Sequence, residues 1–108
     1  MKAIYVQRGA ALDHTPAEDV RNGEVVSLGT RIGVAAGDIP AGGTGTVHVE
    51  GVYRLAKASG EALTMGAAVY YDAGADAVTA SGEGNVPAGY AAAPAAANDA
   101  AVLVKLPG

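Results

Sequence analysis

Between residues 44 and 55 the chain alternates, with Thr46, His48 and Glu50 on one side and Val47, Val49 and Gly51 on the other. A period of two marks a strand with one buried face. Val52, Tyr53, Arg54 and Leu55 continue it past a bend or bulge at Gly51, since glycine inside a strand marks such a feature. Residues 1–7 also alternate, Ala3, Tyr5 and Gln7 against Lys2, Ile4 and Val6, and predict a first strand, followed by a loop over 8–16. Further strands are predicted over 24–28, 31–36, 67–71, 77–80, 86–92 and 100–106, separated by connections rich in Gly, Pro, Asp and Ser. Residues 18–22 and 59–65 read as short turns, the second with room for one helical turn. The Ala-rich stretch 91–97 has the best helix former, but Pro94 breaks a helix interior, so it reads as a loop with at most a single turn. Eight or nine short strands without space for a long helix predict a compact all-β sandwich or small barrel.

The pattern is also written twice. Glu18, Val20, Gly23 and Val26 recur with the same spacing as Glu61, Leu63, Gly66 and Val69, an offset of 43. Residues 32–35 then match 88–91 at an offset of 56, and residues 47–49 match 102–104 at an offset of 55. The second copy therefore carries a longer excursion, placed at residues 72–86. Solenoids need about three or more copies to bury a continuous core, so two copies predict one domain over 1–108 with an internal pseudo-twofold repeat, its halves spanning about 17–52 and 60–106.

Composition sharpens this picture. Half of the residues are hydrophobic, but Ala supplies 25 of them and Val 13, with no Phe and no Trp. Such side chains bury little area each, so the core is thin and self-association or docking on a larger assembly is expected to complete it. The chain has no Cys, which excludes disulfides and thiolate metal sites. No apolar run approaches a membrane span or a signal-peptide core, and synthesis in a cytoplasm is expected. Net charge is −4 and the seven basic residues are scattered, which argues against nucleic acid as a partner.

Candidate chemistry is sparse. His14 and His48 stand in no metal-ligand spacing, and His48 shares a face with Thr46 and Glu50 that reads as solvated. Asp72 and Asp76 are too few for a calcium loop and read as turn formers. Glu18 and Glu61 could form a carboxylate couple, but their recurrence favours a local task for each, accepting backbone hydrogen bonds in its own turn. Lys57 is followed by Ala58 and Ser59, and no Gly-Lys-Ser/Thr tripeptide exists, so no P-loop is predicted. Ser27, Ser59 and Ser81 lack a nucleophile context. The tyrosines at 5, 53, 70, 71 and 90 read as core and interface residues. No catalytic, cofactor-binding or metal-binding residue is assigned.

The ordered series Gly23-Glu24-Val25-Val26, Ile32-Gly33-Val34-Ala35, Thr44 through Val52, Lys57-Ala58-Ser59-Gly60-Glu61, Gly66 through Asp72, Gly89-Tyr90-Ala91 and Val102 through Leu106 resembles the small tailed-phage and prophage capsid decoration, or cement, proteins. The resemblance covers nearly the whole chain. It implies a β-rich fold, a homo-oligomer with a trimer favoured over a dimer, the major capsid protein as partner, and a place on the capsid exterior of a virion made in the bacterial host cytoplasm. It supplies no enzyme activity, cofactor, nucleic-acid or membrane partner. Members of that family have also been labelled predicted phage recombinases, a function that would need a nucleotide site and a basic groove. A small carbohydrate- or ligand-binding β module is a third reading, and it would need an aromatic-lined pocket. Strand edges and residues 1–7 are the expected attachment elements.

Overall fold

Turn residues punctuate this chain so often that each regular segment is short. The computed structural model describes residues 1–107, and among these there are nine strands and no helix: β1 (Ala11–His14), β2 (Val25–Ser27), β3 (Ile32–Ala35), β4 (Gly45–His48), β5 (Glu50–Ala56), β6 (Ala68–Asp72), β7 (Ala77–Thr79), β8 (Val86–Ala91) and β9 (Ala101–Pro107). They form two antiparallel sheets ordered β1-β4-β3-β2 and β5-β9-β8-β6-β7. The fold is an all-β sandwich and not a closed barrel, because the end strands of the second sheet meet only at the bridge between Lys57 and Val78.

Two expectations change. Residues 1–9 join no strand, and β1 arises instead within 8–16, where a loop was expected. Alternation specifies a face but supplies no neighbour, and residues 1–7 have none in this chain. The alternating segment 44–55 divides at Val49 into β4 and β5, which belong to different sheets. The segments 59–65 and 92–97 are irregular, as expected, and contain no helical turn; Leu63 and Ala95 pair there as an isolated bridge.

The duplication is visible in individual hydrogen bonds. Val20 exchanges backbone bonds with Ile39, and Leu63 exchanges the equivalent pair with Ala95. The Gly23 N–H donates to Ala35 O at 2.9 Å, and the Gly66 N–H donates to Ala91 O at 2.8 Å. Both glycines have φ near the left-handed value, 84° and 87°, which lets one turn swing its N–H onto the neighbouring strand. In the ladders, Val26 faces Gly33 and Val69 faces Gly89. Ala35 faces Val47 and Ala91 faces Val104, so the last strands correspond at an offset of 57 rather than 55. A slip of two residues keeps every side chain on its face, and hydrophobic alternation cannot detect it. The long excursion of the second half contains the β6–β7 hairpin and the loop to β8, for which the first half has no counterpart.

Each half builds the same small core. Val26, Ala35, Ile39, Val47 and Val49 form one cluster with Val20 packed on it, and their equivalents Val69, Ala91, Ala95, Val104, Leu106 and Leu63 sit in the other. The replacement of Ile39 by Ala95 is offset by larger residues at Leu63 and Leu106, which conserves volume. β3 belongs to both clusters: all four of its residues are buried, with Ile32 and Val34 facing the second-half core and Ala35 the first.

Gly89 is the position least open to change. Its φ is 141°, and a Cβ there would lie 2.0 Å from the Lys105 carbonyl oxygen on β9. Gly89→Ala is expected to destabilise the fold by about 3 kcal/mol or more, while Gly37→Ala, which meets no atom within 4 Å, changes stability by about 0.5 kcal/mol or less. Urea unfolding of both variants checks the contrast.

Candidate attachment surface

The largest apolar feature outside the core is the N-terminal arm, residues 1–9. Ile4, Tyr5 and Val6 are 86%, 82% and 85% exposed, and Met1 is fully exposed. Three consecutive large apolar residues in solvent are more than the scattered exposure of an ordinary surface. The arm carries Lys2 and Arg8 and no acidic residue, whereas the rest of the chain is acidic. The radius of gyration, 14.5 Å, exceeds the roughly 13 Å of a compact chain of this length.

Polar groups elsewhere are engaged in holding the fold. Lys57 is 6% exposed, and its ammonium donates to the carbonyls of Ala58 at 2.8 Å, Glu61 at 2.6 Å and Ala97 at 3.3 Å. Three donors thus meet three acceptors, as burial of a charge requires. The Lys57 N–H also donates to Ala100 O, and the Ala58 N–H donates to Val78 O. This lysine joins the end of β5, the 92–100 loop and β7. Its only trace in the sequence is its position inside the apolar run Leu55, Ala56 and Ala58; spacing did not identify it.

The carboxylate of Glu61 accepts hydrogen bonds from the Thr79 hydroxyl, at 3.0 and 2.7 Å, and from the Ala80 N–H at 2.9 Å. The Ala80 N–H chiefly, then the Thr79 hydroxyl, holds its pKa below the ordinary value of 4.5, with Lys57 adding a smaller effect against partial burial. The expectation that Glu18 and Glu61 do the same work in their own turns is corrected. Glu61 reaches to the inserted hairpin, and the first half has no hairpin for the exposed Glu18 to hold. There the local carboxylate contacts come from Asp19 to Ala41, Glu24 to Arg21 and Asp38 to Asn22.

The other candidates are dispersed. His14 pairs with Gly45 and His48 with Ala11, at opposite ends of the β1–β4 ribbon. His48 lies half-buried on the face shared with Val34, not on a freely solvated one, because the register places it beside a residue of the larger core. Asp72 closes its turn by accepting from the Gly74 and Ala75 N–H groups, as expected. Asp76, at φ 51°, accepts the Tyr71 hydroxyl at 2.7 Å. Burial first, then this hydrogen bond, pushes the Tyr71 phenol up to about 12. Tyr71 and Asp76 border an open cleft of about 360 Å³ that also touches Gly23, Val25 and Arg54. Among the described residues no three His, Cys, Asp or Glu side chains cluster as a metal site, and no helix is long and apolar enough to cross a membrane.

The geometry defines a duplicated two-sheet β domain with a projecting apolar arm. The sequence model of a family described as phage cement protein matches residues 6–106, and the chain belongs to that family. Membership carries a structural, capsid-associated role in a phage. No curated protein and no solved structure matches the chain.

Lys57→Met leaves three carbonyls without their donor and is expected to lower stability by about 3 kcal/mol, measured by denaturant unfolding. Because the Glu61 pKa is lower folded than unfolded, its contribution is complete above pH 4.5 and is lost as pH falls through the folded value. Glu61→Gln should therefore show a flatter loss of thermal stability than the parent protein as pH falls below 4.5. An identical acid profile in both proteins would count against this role.

Proposed function

We propose that the chain decorates the outside of the expanded phage capsid and stabilises the shell by bridging neighbouring capsomers, with residues 1–9 gripping the major capsid protein. The arm carries the proposal: it is apolar, basic and exposed, and it lies next to β1, a sheet edge. An extended segment of this kind gains both apolar burial and backbone hydrogen bonds when it lies along another chain. Many copies on one shell turn modest individual contacts into durable attachment. The protein acts as a structural homo-oligomer without catalysis, on the outer surface, where its acidic body is not opposed by packed DNA.

We further propose that the two halves act as one cooperative unit, since β3 is buried in both cores. Urea unfolding followed by tyrosine fluorescence and far-ultraviolet circular dichroism should give coincident transitions; two separated transitions would divide the chain into independent halves.

The attachment test mixes the purified protein with matching empty expanded capsids and measures co-sedimentation and the temperature of shell disruption. Bound protein should raise that temperature. Deletion of residues 2–7 should weaken binding about tenfold or more while leaving the fold intact, since the arm packs on no core residue. Absence of the protein from purified virions, or equal binding by the shortened chain, would overturn the respective parts of the reading.

A further inference from the structure

Four strands lie at sheet edges: β1, β2, β5 and β7. An open edge presents unpaired backbone groups, and proteins limit the hazard with short edges, Lys, Pro or a covering segment. β2 and β7 have three residues each, and β7 is bridged to Lys57. β1 has four. β5 has seven; the same bridge holds its Ala56 end, but the stretch from Glu50 to Arg54 has no strand on that side, contains neither Lys nor Pro, and leaves Val52 53% exposed at its middle.

Its register fixes which groups are free. The Lys57 N–H donates to Ala100 O at the end of the β5–β9 ladder, so Gly51, Tyr53 and Leu55 carry the bonds to β9. The N–H and C=O groups of Glu50, Val52 and Arg54 point away from the sheet. The side chains of the same three residues share one exposed face. Neither Glu50 nor Arg54 forms an ion pair among the described residues.

We propose that β5 is a twofold docking edge for a second copy of this chain. Two antiparallel β5 strands with Val52 opposite Val52 of the second copy place Glu50 opposite Arg54 of that copy, and Arg54 opposite its Glu50. All three opposed pairs fall at hydrogen-bonded positions, so each exchanges two backbone bonds. The two valines cover one another. Both charge pairs are complementary, and the contact is the same patch on both chains, as a closed dimer requires. A one-residue shift would set side chains of opposite faces against each other, and a two-residue shift would bring Val52 against a charged residue. The sequence Glu-Gly-Val-Tyr-Arg is thus self-complementary about its centre. The result is one continuous sheet through two molecules. It rests on β5 alone and does not depend on capsid binding.

Sedimentation equilibrium of the full chain tests it. The parent protein should reach twice its 10.5 kDa chain mass. Glu50→Arg and Arg54→Glu each set like charges opposite one another and should weaken the dimer about tenfold or more. The double variant restores opposite charges with their positions exchanged and should recover most of the affinity. Val52→Pro removes an N–H that faces away from the sheet, so it should abolish the dimer with an unchanged circular dichroism spectrum. Slowed amide exchange at Val52 and Arg54 with rising protein concentration is the direct signature. A parent protein that stays monomeric at high concentration, a trimer indifferent to these changes, or a double variant weaker than both single ones would overturn the proposal.

Discussion

Burial of β3 on both faces is the constraint on which the two halves depend. Ile32 and Val34 close the second-half core while Ala35, beside Gly33, closes the first, so this strand is a shared wall rather than the lid of one compartment. A strand in that position tolerates little bulk. A Cβ on Gly33 would already meet Val47 and the His48 carbonyl at 3.2–3.3 Å. Ala and Val can pack there because the cores they fill are small.

The chain between Gly45 and Ala56 acts on the same constraint from outside. Only Val49 separates β4 in the first sheet from β5 in the second, and Val49 is itself buried in the first-half core. So short a connection leaves the sheets little freedom relative to each other. It also places β1 and β5 each at the edge of its sheet, β1 following the N-terminal arm and β5 exposed along Glu50 to Arg54.

The halves diverge where the second gained the β6–β7 hairpin. An added hairpin brings polar groups that need partners, and the Glu61 carboxylate accepts from the Thr79 hydroxyl and the Ala80 N–H at the end of β7, while the Lys57 ammonium ties together the carbonyls of Ala58, Glu61 and Ala97 beside it. The buried charge, Lys57, therefore works inside the second half, while the apolar arm and the Glu50–Arg54 edge of β5 stay exposed. The chain belongs to the phage cement family, which carries a structural, capsid-associated role.

Period-two alternation, glycine punctuation and the repeated anchors were enough to determine an all-β chain of short strands in two related halves, because these features depend on local geometry and on which face each residue presents. Partner choice is not local, and it was decided only in three dimensions. Residues 1–7 alternate as well as β5 does, yet no strand of this chain lies beside them, and the 8–16 segment pairs instead because the Val49 N–H meets the Ala10 carbonyl. The division at Val49, the two-residue difference in the repeat offset and the face of His48 follow from register, to which alternation is blind. The role of Lys57 and the unequal fates of Glu18 and Glu61 follow from contacts between residues as far apart as Lys57 and Ala97, which no spacing along the chain encodes.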